Sequence, residues 1–179
     1  MSLVINIDDI SDDEEYIFDL VAKPDYFKVD PKEGILKKDI CIQGCLSKVG
    51  REIFLKGTIS TEMEMICSRC LEPLDYKIRS KVTSRYVSDQ DSGNLESDVE
   101  LRASDIEVEY YSDGRIDLTQ AVYDQMMLSL PLVRLCREDC RGICSQCGVN
   151  RNIKNCQCSD KGSIDPRLAV LKTLKDKLK

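Results

Sequence analysis

The sequence predicts an α+β protein: an antiparallel β-sheet, open or curled into a barrel, with one helix packed on it, followed by a Cys-rich zinc-binding segment that ends in a second helix. Three observations carry this. Apolar and polar residues alternate with a period of two from Ile40 to Tyr86, the pattern of half-buried strands. A helical period then follows from Asp117 to Leu130. Eight of the ten cysteines fall into four close pairs, three of them after residue 130. These divisions give an acidic N-terminal segment (1–33), a sheet core with its helix (34–130), and a Cys-rich segment with a basic helix (131–179). A chain of 179 residues fits one domain with a small appendage.

Residues 1–33 read as acidic and irregular. Ser11-Asp12-Asp13-Glu14-Glu15 either caps a helix or stays solvated, and Pro24 and Pro31 punctuate the chain after it. In the first strand Ile40, Ile42, Gly44 and Leu46 alternate with Cys41, Gln43, Cys45 and Ser47. Gly50-Arg51 reads as a turn. The second strand places Ile53, Leu55, Gly57, Ile59, Thr61, Met63 and Met65 on one face. After a turn at Cys67–Pro73, Leu74, Tyr76, Ile78, Val82 and Tyr86 form the apolar face of a third strand. Its other face carries Lys77, Arg79, Lys81 and Arg85. Such a sheet buries one face and leaves the other to water or a partner.

Residues 88–105 read as a polar, acidic loop, with a short strand near Ile106, Val108 and Tyr110. Asp113-Gly114 is a turn signal. Asp117 is an N-cap and Gln120 follows three residues on, as in a capping box. Leu118, Ala121, Val122, Gln125, Met126 and Ser129 share one helical face, Met126 and Met127 reading as core filler. Asp165-Pro166 opens the last helix, with Leu168, Leu171, Leu174 and Leu178 as its apolar stripe.

Composition removes whole classes of chemistry. The chain has no histidine, which excludes Ser-His-Asp, Cys-His and His-ligated metal catalysis. It has no tryptophan, so any stacking platform must use Tyr, Phe or Arg. No apolar run approaches the roughly 18–20 residues that span a bilayer, and Met1–Asp9 lacks the basic start of a signal peptide. These features point to the cytoplasm and to no membrane partner. The net charge is −6 but uneven: Pro131–Lys179 holds 11 Lys+Arg against 5 Asp+Glu, and the remainder holds 15 against 27. A tail of net +6 on a body of net −12 suits RNA contact through the tail. Two four-thiolate zinc sites, each of formal charge −2, would cut that tail to about +2, and a solvated surface of mixed charge is the plainer alternative.

The cysteine pairs are Cys67/Cys70, Cys136/Cys140, Cys144/Cys147 and Cys156/Cys158. Pairs this close in a cytosolic chain favour metal over disulfides. Two residues between cysteines let both thiolates face one ion while backbone N–H groups turn toward the sulfurs. Gly148 follows Cys147 and relieves crowding in that turn. Eight thiols fill two tetrahedral sites. In one partition the local set Cys144, Cys147, Cys156 and Cys158 forms one site, and Cys67, Cys70, Cys136 and Cys140 form another that bridges sheet and tail. In the other, Cys67/Cys70 joins Cys144/Cys147. The rival uses of the same thiols are an iron–sulfur cluster, a CxxC redox site at a helix start, and disulfides. Cys41 and Cys45 read as packed thiols without a role.

The ordered set Cys67-Ser-Arg-Cys70-Leu-Glu-Pro73, Gly114-Arg-Ile-Asp117-Leu118, Leu130-Pro131, Cys140-Arg-Gly142-Ile-Cys144-Ser-Gln-Cys147-Gly148-Val-Asn150, Cys156-Gln-Cys158 and Asp165-Pro166-Arg167-Leu168 resembles the YceD-like family. These are the large ribosomal RNA subunit accumulation proteins of bacteria and plastids. The resemblance runs from about Ile35 to Leu174. It implies a non-enzymatic ribosome-biogenesis factor that supports accumulation of large-subunit ribosomal RNA. The partner would be a large-subunit precursor, through ribosomal RNA or a ribosomal protein, with no small-molecule substrate. Metal binding at the eight cysteines is carried over as a structural feature, since some members lack much of the C-terminal set. Candidate RNA contacts are Lys77, Arg79, Lys81 and Arg85 on the strand and Arg141, Arg151 and Lys154 in the tail. The alternative function is a zinc-stabilised protein–protein adaptor whose acidic body is the working surface. An enzyme is disfavoured: four complete Cys pairs leave no open zinc position, and no phosphate-binding glycine loop appears.

Overall fold

The structure is a computed structural model that describes residues 3–12, 14–89 and 108–158. The chain forms two compact units, one of residues 1–67 with 72–136, the other of residues 68–71 with those from 137 onward. The first unit holds all of the named strands and the helix. They are β1 (Val4–Asn6), β2 (Tyr16–Ala22), β3 (Ile35–Leu36), β4 (Ile40–Val49), β5 (Glu52–Ile66), β6 (Pro73–Ser88), β7 (Val108–Tyr111), β8 (Arg115–Asp117) and α1 (Thr119–Leu128).

The main sheet runs β2-β4-β5-β6-β7, with β3 also on β5. It is open: β2 and β7 are its edges among the described residues, and it does not close into a barrel. All its pairs are antiparallel except β6–β7, where Arg85 to Ser88 run parallel to Val108 to Tyr111. The 19 residues from Asp89 to Glu107 that join these two strands exceed the dozen or so that a parallel connection requires.

Alternation builds the sheet as the sequence predicts. Ile40, Ile42 and Leu46 of β4, Ile53, Leu55, Ile59 and Met63 of β5, and Ile78, Val82 and Tyr86 of β6 are buried on one face. Each full burial of such a side chain contributes about 1.5–3 kcal/mol. A two-residue loop, Gly50-Arg51, joins β4 to β5 with Gly50 at φ 63°, a left-handed value that a hairpin of this length requires. β3 and β4 lie along the same edge of β5, separated by a bulge at Lys37–Asp39. From Leu36 to Cys41 the chain takes five steps while its partner takes three, from Met63 to Ser60.

Two expectations give way here. Residues 1–33 are not irregular. β1 pairs with β8 and β2 with β4, so Leu3, Ile5, Phe18, Ala22 and Phe27 enter the core. The helix starts later and is capped differently. Asp117 ends β8, and its carboxylate accepts the Thr119 N–H at 2.9 Å. The Gln120 side chain donates to Asp124 at 2.8 Å rather than reaching back to the cap. The predicted helical face is the buried one, with Leu118, Val122 and Met126 fully enclosed and Gln125 donating to the Ser80 hydroxyl of β6 at 2.9 Å. Phe27 stacks on Tyr123, centroids 6.3 Å apart. Most of the 88–105 loop and the helix expected from Asp165 lie outside the described residues.

The described residues of the second unit form turns. Arg69 O accepts the Ile143 N–H at 3.0 Å, and Gly142 O accepts the Arg151 N–H at 2.9 Å. Ile143 and Asn150 form an isolated antiparallel bridge. None of its described residues belongs to the hydrophobic core cluster, and Leu71, Ile143 and Ile153 are exposed.

Candidate metal centre

None of the ten cysteines is in a disulfide, and eight of them gather into two groups of four. Within each group the sulfurs lie within 4.8 Å of one another. The groups are Cys67, Cys70, Cys136 and Cys140, and Cys144, Cys147, Cys156 and Cys158. This is the local partition, not the pairing of Cys67/Cys70 with Cys144/Cys147. A tetrahedral ion with Zn–S of about 2.3 Å sets its sulfurs about 3.8 Å apart, so each group can hold one metal ion. A cubane cluster would hold its four sulfurs wider apart. The CxxC of Cys67 and Cys70 lies in the turn between antiparallel β5 and β6, not at a helix start, so it lacks the geometry that activates a redox thiol.

The first group grows from the tip of the longest hairpin. The Cys67 N–H bonds the Glu72 carbonyl at 2.9 Å and closes the turn, with Leu71 at φ 62°. Cys67, Cys70 and Cys140 are buried, and Cys136 is exposed. The Cys136 N–H points at the Cys67 sulfur at 3.4 Å, a donor that favours thiolate over thiol. Asn152 donates its side-chain N–H to the Cys140 sulfur at 3.3 Å, and its carbonyl oxygen accepts the Arg141 N–H at 2.8 Å. The Arg69 guanidinium donates to the Cys140 carbonyl at 3.1 Å. At Gly142, φ 68°, a β-carbon would stand 2.9 Å from the Arg69 carbonyl oxygen, so this crossing needs glycine twice over.

The second group sits on a knuckle. The Cys144 N–H bonds the Val149 carbonyl at 2.8 Å, and the Gly148 N–H bonds the Cys144 carbonyl at 2.9 Å. Gly148, at φ 71°, supplies the left-handed residue. Backbone N–H groups of Cys147 and then Gln146 face the Cys144 sulfur and pull its thiol down to about 6, with Cys156 assisting. Cys158 moves the other way, to about 12, first by hydrogen bonding to Cys147 and then by burial. Cys156 is raised chiefly by Cys144. Four crowded thiols cannot all ionise without a cation among them, so a bound metal must displace protons. Second-group exposure also differs: Cys144 is buried, Cys147 exposed, Cys156 and Cys158 half-buried.

The basic candidates fall on both units. Lys77, Arg79, Lys81 and Arg85 share the open face of β6. Lys77, Arg79 and Lys81 are exposed, while Arg85 is half-buried and paired with Glu52 at 3.5 Å. Arg141 and Lys154 are exposed on the knuckle unit, and the Arg141 guanidinium donates to the Asn155 side-chain oxygen at 3.3 Å. Arg151 is half-buried. Cys41 and Cys45 lie half-buried on the open face of β4, apart from both thiol groups. Sequence reasoning missed Arg69 and Asn152, which hold the cysteine turns. It also missed Lys56, which joins the basic face from β5. Asn150-Arg-Asn152 was the available signal, since asparagines recur where turns need side-chain acceptors.

No helix among the described residues is long and apolar enough to cross a membrane. The family described as "Large ribosomal RNA subunit accumulation protein YceD" matches residues 55–175. An uncharacterized protein of Mycobacterium tuberculosis is 32% identical over 130 residues, 70% of this chain and 57% of its own length. One of Mycobacterium leprae is 25% identical over 126 residues, 70% of this chain and 54% of its own. The uncharacterized protein YlbN of Bacillus subtilis is 26% identical over 134 residues, 74% of this chain and 72% of its own. The chain therefore spans little more than half the length of the mycobacterial relatives. No solved structure matches it.

Proposed function

Because this chain belongs to the YceD family of large ribosomal RNA subunit accumulation proteins, we propose that it is a non-enzymatic cytoplasmic factor in assembly of the large ribosomal subunit. The family match over 55–175 carries the reading. Two further features support it. The thiols gather in complete sets of four, the closed arrangement of structural rather than catalytic zinc. Exposed cations project from the open face of β6 and from the knuckle unit, where they can meet ribosomal RNA.

In this reading Cys67, Cys70, Cys136 and Cys140 hold one zinc ion, and Cys144, Cys147, Cys156 and Cys158 hold a second. The metals shape the turns that present Arg141, Arg151 and Lys154. Lys77, Arg79, Lys81 and Arg85 form the other contact. The partner is a large-subunit precursor.

Sedimentation of the native protein through a sucrose gradient, with and without RNase, tests this together with a depletion strain. The expected result is co-migration with large-subunit precursors and a fall in large-subunit RNA on depletion. RNase release then marks RNA contact, and retention marks a protein-docked adaptor. A protein that stays at the top of the gradient, with subunit ratios unchanged on depletion, contradicts the proposal.

A further inference from the structure

The open face of the main sheet carries a depression that neither the thiol groups nor the family match explains. It has a volume of about 650 Å³ and lies over β2, β4 and β5, reaching Lys81 of β6. Its floor includes the backbone of a cross-strand pair of glycines. Gly44 and Gly57 face each other in register at positions whose neighbours point into the core. A β-carbon on Gly44 would stand 2.4 Å from the Lys56 carbonyl oxygen and 2.7 Å from the Gly57 α-carbon. The two backbones approach closer than any other residue pair would permit, and both line the depression.

Around this hollow the side chains are sorted by charge. One cross-strand row reads Asp19, Gln43, Thr58, Lys81, and the next reads Ile17, Cys45, Lys56, Thr83. Acceptors therefore stand on the β2 side, where Asp19 already binds the Gln43 amide at 2.9 Å and Glu15 adds a second carboxylate. Cations stand on the β5–β6 side. Four of them, Lys56, Lys77, Arg79 and Lys81, are exposed and form no ion pair among the described residues, whereas Glu62 and Glu64 on the same face are neutralised by Lys38 and Lys37. Along β6 the cations recur every second residue, about 6.7 Å apart. Ile17, four-fifths exposed, forms an apolar wall.

We infer that this face binds single-stranded RNA, with one unpaired, amino-bearing base seated over Gly44 and Gly57 and its neighbouring phosphates on Lys56 and Lys81. The inference deepens the ribosomal reading and rests on it for the choice of nucleic acid. A base can enter a hollow of this size only when it is unstacked, so the ligand is a loop or single strand. The carboxylates beside Gln43 accept hydrogen bonds from an exocyclic amine, which cytosine has and uracil lacks. The apolar wall gives the base a surface to lie against, and the line of cations follows the backbone.

The test is fluorescence anisotropy of the full zinc-loaded chain with a labelled 12-mer of oligocytidine. Competitors are oligouridine, a duplex, and an abasic ribose-phosphate strand, all of equal length. The expected order of affinity places oligocytidine above oligouridine, with the duplex and abasic strand at least about tenfold weaker. The double variant Lys56→Glu/Lys81→Glu, both positions being exposed, should weaken binding at least about tenfold. The neutral pair Lys56→Gln/Lys81→Gln should lower the slope of log affinity against log salt by about 1.4. Equal binding of the duplex or the abasic strand, or indifference to the Lys56 and Lys81 changes, overturns the inference. If Arg141→Glu/Lys154→Glu abolishes binding while the sheet variants do not, the sheet-face site is wrong and the ribosomal reading stands. If depletion leaves large-subunit RNA unchanged, the ribosomal reading fails, and the sheet face is still judged by the anisotropy alone.

Discussion

The two units of this chain are stabilised by different physics. The sheet unit encloses a continuous apolar cluster from Leu3 to Met126, contributed by strands, helix and the N-terminal segment. The described residues of the knuckle unit form nothing comparable. Among them the buried side chains are those of cysteines, and Leu71, Ile143 and Ile153 remain in water. Where apolar burial is this sparse, a metal that ties turns together contributes the more to stability. The knuckle unit's described thiols are outside disulfides and belong to the two groups of four. One chain thus carries a part that folds by excluding water and a part whose thiols are gathered in sets that could hold a metal ion.

The largest effect that sharpens this contrast comes from the second thiol group. Cys144→Ser/Cys147→Ser should remove one metal of two, a loss on the order of 10 kcal/mol of binding free energy. Elemental analysis should read a fall from two zinc ions per chain to one, while the sheet unit keeps its melting transition. Acid should act in the same direction. Binding must displace protons, chiefly from Cys158, which is held up to about 12, so zinc affinity at this site should fall as pH drops.

The converse change strikes the other unit. Ile59→Ala empties a fully buried position in the middle of β5 and should cost about 2–5 kcal/mol. Denaturant titration would show it, with zinc content unchanged. A smaller loss, about 1 kcal/mol, is expected for Asp117→Ala, which removes the acceptor for the Thr119 N–H at the start of α1. The smallest effect concerns Glu109. Its carboxyl is raised above the ordinary range, first by burial, then by Asp124 and Asp117. A raised folded value means the folded state holds its proton more tightly, so this group's ionisation lowers stability as pH rises from the ordinary carboxylate range through the raised value. Glu109→Gln should flatten that fall and leave the protein slightly more stable at neutral pH, as read from melting curves at pH 4 to 8.

The sheet was legible where its two faces differ in polarity. In β4, β5 and β6 the inward Ile, Leu, Met and Val alternate with polar residues, and that alternation is read directly. β2 escaped because its outward positions include Ile17 and Val21, both exposed, so polarity does not alternate along it. β1 escaped because three residues carry no period, and its partner β8 lies more than a hundred residues away. The parallel register of β7 is set by tertiary pairing that no local pattern encodes. The capping box failed because Gln120 found a nearer acceptor one turn on, at Asp124.

The thiol partition was legible because one set of four is local in sequence. What held the turns was not. Arg69 and Asn152 meet the Cys140 region across 71 and 12 residues, and spacing alone gives no hint of either contact. Lys56 was hidden in the same way. It looks like an isolated polar residue in β5, and it becomes part of a basic face only when β6 is laid beside it.

The contrast between a burial-driven sheet and an ion-coupled knuckle is tested most directly by amide hydrogen exchange of the full zinc-loaded chain, measured before and after chelation. Chelation is expected to abolish protection at the Cys144, Gly148 and Arg151 amides while Ile42, Ile59 and Val82 exchange as slowly as before. Unchanged protection at the knuckle amides, or collapse of the strand amides together with them, would contradict it.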